Sequence, residues 1–168
     1  MNQPTELLVR KARRGDAHAF SRLYETVYGD LYRFAVYTLQ HRQDAEDAVS
    51  ETVVDAFSQI SSLRDPQSFR AWIFRILSAK CNRRIRQYMN HSFELDEEMP
   101  AAEQDWNEAI DVRRAFSCLC EEDRLILSMN LFAGYSSQEI ADFLNLNSNT
   151  VRSRQSRALK KMQSLLSR

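Results

Sequence analysis

The chain has 168 residues, with 23 basic and 23 acidic side chains, 43% hydrophobic residues, and only three glycines and three prolines. So few turn residues argue against many short strands and favour long helices with short connections. No apolar run approaches the roughly 18 residues of a membrane span, and the polar start MNQPTELLVRKARRG has no signal-peptide core, so we expect no membrane span and a cytoplasmic location.

The neutral total hides an uneven distribution of charge. Residues 1–95 carry a net charge of +3, residues 96–130 of −7 and residues 131–168 of +4. Residues 94–111 contain eight acids and no base. Because this acidic stretch also holds Pro100 and small residues, its first half is interpreted as a linker between two basic modules.

The first long helix is predicted from a capping residue at its start and from apolar residues at helical spacing. Asp16 follows Gly15 and can cap a helix over DAHAFSRLYETVYGDLYRFAVYTL, because an aspartate oxygen accepts a free backbone amide at that position. Apolar residues then recur every three or four positions, which predicts a buried face. That face consists of Phe20, Leu23, Tyr24, Val27, Leu31 and Phe34.

The next segment, DAEDAVSETVVDAFSQI, predicts a helix with an apolar face and an acidic face. The acids are Asp44, Asp47, Glu51 and Asp55. Like charges three or four positions apart on a helix repel by roughly 0.2–0.5 kcal/mol per pair. Such a face is either solvated or docks on a basic partner, and the segment alone leaves both alternatives open.

A basic helix is predicted after the loop SQISSLRDPQ. Asp65-Pro66 marks its start, because proline at the first helical position needs no amide hydrogen. Residues 66–93 contain six basic side chains and no acid. The positions expected to be buried are Phe69, Trp72, Ile73, Ile76 and Leu77.

The last third of the chain predicts a helix-turn-helix unit. Ser136 and Glu139 form a capping box, in which each side chain binds a free amide of the other residue. A short helix should therefore cover Ser137–Phe143, followed by the turn LNLNSN and a helix from about Asn149 to Leu165. A short helix, a tight turn and a longer basic helix are typical of this DNA-binding unit.

The longer helix of this unit has two chemically different faces. One face, expected to pack on the core, contains Val151, Gln155, Ala158 and Met162. The opposite face contains Asn149, Arg152, Ser153, Ser156, Arg157 and Lys160. Arginine pairs with guanine and serine bonds to bases or phosphate, whereas Lys160 is better placed to hold phosphate. A merely solvated face is the alternative, but it would not explain the capped short helix and turn that precede it.

No catalytic constellation, phosphate loop or metal-ligand spacing is found, so we expect no enzymatic activity and no cofactor. Cys118 and Cys120 form C-x-C without a second pair or a nearby histidine, whereas zinc sites use four ligands at recognisable spacing. Together with Cys81, they are expected to be buried free thiols.

Four segments, in this order, resemble a bacterial RNA polymerase sigma factor of the extracytoplasmic-function group. The first, GDAHAFSRLYETVYGDLYRFA, resembles the group's first helices, and DAEDAVSETVVDAF resembles the helix that grips the coiled coil of polymerase subunit β′. FRAWIFRI is similar to the helix after the −10 recognition loop. LCEEDRLILSMNLFAGYSSQEIADFLNLNSNTVRSRQSRAL resembles the module that reads the −35 element. Helix-turn-helix units are common, but four segments in this order are specific.

The resemblance implies an all-α fold of two small helical domains. These would be a sigma region 2-like domain at 1–92 and a helix-turn-helix, sigma region 4-like domain at 107–168, joined by an acidic linker at 93–106. The protein would be a dissociable sigma subunit, monomeric when free, that binds the β′ and β subunits of core RNA polymerase and directs it to −10 and −35 promoter elements. Promoter DNA and an anti-sigma protein would be its partners. The alternative is a helix-turn-helix DNA-binding regulator that does not join polymerase.

The resemblance also assigns residues to two surfaces besides the −35 face. Core polymerase binding is expected of Asp44, Asp47, Ser50, Glu51 and Asp55. Recognition of the −10 element is expected of Ser61, Ser62, Arg64, Phe69, Arg70, Arg75, Lys80, Arg83 and Arg84. Single-strand capture requires a pocket, polar edges and nearby positive charge, which these residue types supply.

Some positions depart from the family's pattern. The family usually has Gln at the position of Ser50, an Arg-Asn pair at Ser78 and Ala79, and Asp at the position of Arg83. These departures predict an altered promoter preference. Gln155 replaces a usual core Leu, which predicts looser packing of the recognition helix.

Overall fold

A computed structural model of the protein describes residues 3–91 and 107–167, so the predicted acidic linker at 93–106 lies outside the described residues. Within these two ranges every regular element is helical, which confirms the all-α prediction. The α-helices are α1 (Gln3–Ala12), α2 (Ala17–Leu39), α3 (Arg42–Gln59), α4 (Phe69–His91), α5 (Asn107–Ser117), α6 (Glu121–Leu131), α7 (Ser137–Leu144) and α8 (Ser148–Leu166). Two 3₁₀ turns, Ile60–Ser62 and Pro66–Ser68, connect α3 to α4.

The predicted helix starts depend on short polar side chains. Asp16 caps α2 by accepting a hydrogen bond from the backbone amide of Ala19 at 3.0 Å. Asp65 caps the next predicted start by accepting from the amide of Gln67 at 3.0 Å. Pro66, however, begins a 3₁₀ turn and α4 itself begins at Phe69, because Ser68 donates back to the Asp65 carboxylate at 2.8 Å and tightens the turn.

The buried stripe of α2 is the centre of the first four helices. Its apolar side chains are buried as predicted, apart from the partly exposed Tyr24. Phe34 meets Phe74 of α4 edge to face, with ring centroids 5.7 Å apart. Helices α1, α3 and α4 all pack against α2.

The helices of the two predicted domains share one hydrophobic core. Leu125, Ile126 and Met129 of α6 lie in the same buried cluster as the apolar stripe of α2. A smaller cluster joins α5, α6 and α8 and contains Phe116, Leu127 and Met162. Fully burying one such side chain contributes about 1.5–3 kcal/mol, so apolar burial holds the two groups of helices against each other.

None of the helices in the described ranges is long and apolar enough to cross a membrane.

Candidate nucleic-acid and polymerase interfaces

The unit α7–turn–α8 is built by local hydrogen bonds, of which the sequence predicted the capping box. In the capping box, Ser136 N donates to the Glu139 carboxylate at 2.8 Å, and Glu139 N donates to the Ser136 hydroxyl at 3.3 Å. The backbone hydrogen bond from Ser136 lowers the pKa of Glu139. Asn145 ends α7 in the left-handed conformation, with φ of 56°, and Asn147 caps α8 by accepting from the amide of Asn149 at 2.8 Å. Asparagine adopts this backbone more readily than most other residues with a side chain.

The inner face of α8 is buried as predicted, including its one polar member. Val151, Ala158 and Met162 are buried, and Gln155 is only 9% exposed. The Ser137 hydroxyl of α7 donates to Gln155 Oε1 at 2.7 Å. Gln155 Nε2 is buried and has no hydrogen-bond partner among the described residues. Gln155 therefore makes one hydrogen bond that links α7 to α8, while its Nε2 donor remains buried and unbonded among the described residues.

The outer face of α8 presents all the side chains predicted to read the −35 element. Asn149, Arg152, Ser153, Ser156, Arg157 and Lys160 are all exposed. Arg152 donates to Asn149 Oδ1 at 3.0 Å and Arg157 to the carbonyl of Ser153 at 3.3 Å, so both guanidinium groups lie along the helix. None of the ion pairs within the described parts of the chain involves Arg152, Arg157 or Lys160. This face consequently keeps its full positive charge for an anionic ligand.

Arg154 has a different role from the other arginines of α8. Its guanidinium donates to Asp123 at 2.6 Å and to Glu122 at 2.5 Å, both in the first turn of α6. Burial alone would lower the pKa of Arg154, but the hydrogen bonds to the two carboxylates raise it above its usual value. This pair of bonds fixes α8 against α6. The predicted site did not include it, because the partners lie more than 30 positions apart and no local pattern connects them.

Part of the acidic face of α3 packs against the basic face of α4. Glu51 accepts from Arg84 at 2.5 Å and from Arg83 at 3.1 Å, and it lies 3.7 Å from Lys80. Lys80 also donates to Asp55. The Arg84 hydrogen bond is the main reason that the pKa of Glu51 is lowered. Of the two alternatives that the sequence left open, Glu51 and Asp55 therefore dock on a basic partner, and that partner is the next helix of the same chain.

Two members of the predicted polymerase set remain on the open surface of α3. Asp47 and Ser50 are exposed, and Asp47 accepts a hydrogen bond from Gln43 at 3.1 Å. Asp44, by contrast, is only partly exposed and accepts a hydrogen bond from Tyr88 of α4. Val54 is 68% exposed although it is apolar. The accessible surface of α3 is thus more apolar and less acidic than the sequence indicated.

The predicted −10 residues differ in their exposure. Ser61, Ser62 and Arg64 are exposed on the connection between α3 and α4. Lys80 and Arg84 are largely covered, with side chains 16% and 11% exposed, and they bind the acids of α3.

Phe69 is buried, as the apolar pattern predicted, and so is not exposed for the −10 contact that the family resemblance assigns to it. It is 2% exposed, and its ring lies 6.1 Å from that of Trp72. Phe69 begins α4, and the apolar ring is used to pack that helix end into the core rather than to contact a base.

A cleft of about 500 Å³ lies beside α4. It brings an aromatic ring together with positive charge, since Trp72, Arg75 and Arg83 line it. Phe143 of α7 also lines the cleft, and the Arg75 guanidinium lies 6.0 Å from the centroid of its ring. The cleft therefore combines features of a single-strand site with a side chain from the helix-turn-helix unit.

The cysteines differ from the prediction of three buried thiols. Cys81 is buried, and burial raises its pKa to about 12. Cys118 and Cys120 are exposed, because they lie in the short connection between α5 and α6 rather than inside a helix. No group of three or more His, Cys, Asp and Glu side chains able to hold a metal ion occurs among the described residues.

The fold and the exposed basic face of α8 define a helical protein with a helix-turn-helix DNA-binding unit. Comparison with known proteins specifies the family. The family models for sigma-70 region 2 and sigma-70 region 4 match residues 23–90 and 109–162. The ECF RNA polymerase sigma factor SigM of Mycobacterium tuberculosis is 30% identical over 155 residues, covering 90% of this chain and 79% of SigM.

Two further proteins are similar to this chain over nearly its full length. The RNA polymerase sigma factor NccH of Alcaligenes xylosoxydans xylosoxydans is 29% identical over 174 residues, covering 96% of this chain and 94% of NccH. A solved structure of CnrH in complex with the cytosolic domain of CnrY is similar with a TM-score of 0.66 at 26% identity, covering 98% of both chains.

The chain belongs to the extracytoplasmic-function group of RNA polymerase sigma factors. The predicted function as a sigma factor that acts with core RNA polymerase is confirmed, and the alternative of a regulator that does not join polymerase is not favoured.

Proposed function

We propose that this sigma factor reads the −35 promoter element with the outer face of α8. The observation that carries the proposal is a row of exposed cations that have no acidic partner among the described residues, on a helix held by a capped α7. The N-terminal half of such a helix enters the major groove. Arg152 and Arg157 then face base edges, Ser153 and Ser156 bond to bases or phosphate, and Lys160 holds phosphate.

Recognition of the −10 element falls to the connection between α3 and α4 and to the cleft beside α4. Ser61, Ser62 and Arg64 supply polar edges on the connection, and the cleft supplies Trp72 and Arg75. A base released from the melted strand stacks on an aromatic or guanidinium plane while nearby cations hold its phosphates. Lys80, Arg83 and Arg84 are paired with carboxylates of α3. They can bind phosphate only when they release those carboxylates.

Core polymerase binds the open side of α3, where Asp47 and Ser50 lie beside exposed apolar side chains. The domains proposed for these tasks are residues 1–92 and 107–168, with the acidic linker 93–106 between them. The protein carries no catalytic activity of its own and acts in the cytoplasm, where it meets polymerase. An anti-sigma protein is its expected regulator, and the similar chain CnrH was solved with another protein bound, the cytosolic domain of CnrY.

Run-off transcription with purified core polymerase tests this function. Transcript starts mapped after overexpression supply candidate promoters, and the purified chain should then direct initiation at the same positions. The Arg157→Ala variant should lose initiation at those promoters, whereas Arg33→Ala, on the exposed side of α2, should not. A competent core enzyme that gives no promoter-specific transcript with the wild-type chain would exclude the proposal.

A further inference from the structure

Two exposed cysteines, Cys118 and Cys120, flank Leu119 in the connection between α5 and α6. Free cysteine is among the most buried residue types in proteins, and Cys81 follows that rule. Two accessible thiols separated by a single residue are therefore unusual, and the DNA and polymerase contacts proposed above do not use them. Their Cα atoms are joined by two peptide units and lie at most about 7 Å apart. A disulfide spans roughly 4.4–6.8 Å between Cα atoms, so the two thiols are close enough to form one.

The connection that carries the two thiols is bonded to the DNA-reading helix α8. Lys161 Nζ donates to the carbonyl oxygen of Cys118, and Arg154 Nη2 lies 3.6 Å from the Cys120 sulfur. A cleft of about 490 Å³ beside these contacts is lined by Cys120 and by Arg157, which is proposed to read the −35 element. A small soluble molecule can therefore reach Cys120 through a cleft that the −35 face shares.

Both peptide groups between the two cysteines accept tertiary hydrogen bonds. The Cys118 carbonyl accepts from Lys161 of α8, and the Leu119 carbonyl accepts from Arg124 of α6 at 2.7 Å. A disulfide between Cys118 and Cys120 closes a small ring, and the backbone of that ring consists of these two peptide groups. Closing the ring therefore constrains the torsion angles that aim both carbonyls at their donors.

We propose that Cys118 and Cys120 form a reversible redox site, at which a peroxide closes a disulfide and weakens recognition of the −35 element. This role rests on the proposed −35 function of α8 and adds a control of that function by oxidation. When the disulfide is closed, the carbonyls of residues 118 and 119 turn away from Lys161 and Arg124, and α8 is held less firmly on α6. Disulfides of cytosolic proteins are usually transient and redox-sensing, which fits a site that reduction reopens.

The peroxide supplies the whole oxidising equivalent of the step. One thiolate attacks a peroxide oxygen, so that an S–O bond forms, the O–O bond breaks and the other oxygen leaves as water with the thiol proton. The second thiol then attacks the sulfenic sulfur, an S–S bond forms, and the S–O bond breaks to release a second water. Each sulfur loses one electron and the peroxide gains two. A cytosolic dithiol reverses the reaction by thiol–disulfide exchange and becomes a disulfide itself.

The experiment oxidises the purified full-length chain with hydrogen peroxide and removes the peroxide with catalase before core polymerase is added. Intact mass and peptide mapping report the disulfide as the loss of two hydrogen atoms from the segment that contains Cys118 and Cys120. Run-off transcription from a mapped promoter reports recognition, and amide hydrogen exchange of α8 reports how firmly that helix is held.

The matched control is the double variant Cys118→Ser/Cys120→Ser, which keeps both backbone carbonyls and cannot form the bond. Cys81 is an internal control, because it is buried and should stay reduced. We expect the oxidised wild type to carry the disulfide, to exchange faster in α8 and to transcribe roughly two- to tenfold less, the effect of losing one hydrogen bond or two weak ones. Dithiothreitol should restore all three properties, and the double variant should be unaffected by the same dose of peroxide.

The proposal is overturned if peroxide yields sulfinic acids or disulfides between two chains instead of the bond between Cys118 and Cys120. A disulfide that leaves the exchange of α8 or transcription unchanged overturns it as well, and so does an equal loss of activity in the double variant. Failure of the −35 role itself is recognised separately, because the reduced wild type would then give no promoter-specific transcript. Mass and hydrogen exchange would still decide whether the thiols form a redox site coupled to α8.

Discussion

Arg124 of α6 binds the backbone of Thr38, which lies 86 positions earlier at the end of α2. Its Nε donates to the Thr38 carbonyl at 2.9 Å, and Nη1 donates to the carbonyl of Leu119 at 2.7 Å. The carbonyls of the last helical turn have no partner within their own helix. Arg124 thus caps α2 from the other module, and burial lowers the pKa of its guanidinium, although arginine stays charged.

Replacement of Arg124 tests how strongly this contact joins the modules. We expect Arg124→Met to lower the free energy of unfolding by about 1–3 kcal/mol, because two buried carbonyl oxygens lose their donors. Urea denaturation followed by far-UV circular dichroism measures the change. Arg33→Met is the control, because Arg33 is exposed and its ion pair with Asp30, at 3.5 Å, lies on the surface. Equal stability of the two variants would show that the cap contributes nothing.

Glu51 should make the stability depend on pH in the acid range. Its pKa is lowered in the folded state from a usual value of 4.5, first by the Arg84 hydrogen bond. The ionised carboxylate therefore stabilises the fold above about pH 4.5, and this stabilisation is lost as the pH falls through the lower folded-state pKa. Because the Glu51 side chain is 40% exposed and solvent screens its ion pairs, we expect Glu51→Gln to lower the melting temperature at neutral pH by at most roughly 2–4 °C, the equivalent of about 1 kcal/mol for a chain of this size.

The shape of the pH profile separates this effect from a general loss of packing. Melting temperatures of Glu51→Gln should fall less steeply below pH 4.5 than those of the wild type, because the titrating group has been removed. Asp47→Asn, on the exposed side of the same helix, should follow the wild-type profile. Parallel wild-type and Glu51→Gln profiles would contradict the assignment.

Replacement of Gln155 by leucine is expected to raise the stability of the protein. The Nε2 donor of Gln155 is buried without a partner among the described residues, which costs roughly 1–3 kcal/mol. Gln155→Leu should therefore raise the free energy of unfolding by about 1 kcal/mol, since the partly exposed Ser137 hydroxyl can bond to water instead. Gln155→Ala should lower it, because truncation leaves a cavity. Differential scanning calorimetry measures the stability of both variants. If Gln155→Ala were stabilised as well, packing at this position would be unimportant.

Two exposed cations of α8 should differ in their effect on DNA binding. Arg157→Ala should weaken binding to a mapped promoter by about 1–3 kcal/mol and relax sequence preference at one position. Lys160→Ala should weaken binding to all sequences about equally and reduce the slope of affinity against salt by about one unit. Competition binding at several salt concentrations, with polymerase present, measures both. Equal losses on every sequence for both variants would refute this division of roles.

Local chemistry explains why the helices and caps could be predicted. Asp16, Ser136 and Glu139 act on amides within three positions, so their effect is contained in the sequence around them. The stripe of α2 and the two faces of α8 follow from helical periodicity in the same way. The exposed outer face of α8 was therefore correctly anticipated residue by residue.

Long-range pairing explains where the sequence was insufficient. The acids of α3 and the cations of α4 each looked like a surface for an external partner, but Glu51 and Arg84 neutralise each other across 33 positions. The aromatic ring of Phe69 is of a kind that can stack on a base, but it is buried in the core, as the apolar pattern predicted. Charge and aromaticity are properties of a side chain, whereas its accessibility depends on which helix packs against it.

The sequence by itself determined the all-α class, the helix-turn-helix unit and the exposed basic face, because these depend on neighbours within one or two turns. Only the tertiary structure decided which charges remain available and how the modules meet. Arg70, Arg124 and Tyr135 bind carbonyl oxygens more than 60 positions away. A backbone carbonyl is the same group in every residue, so no pattern of side chains marks it in advance as the partner.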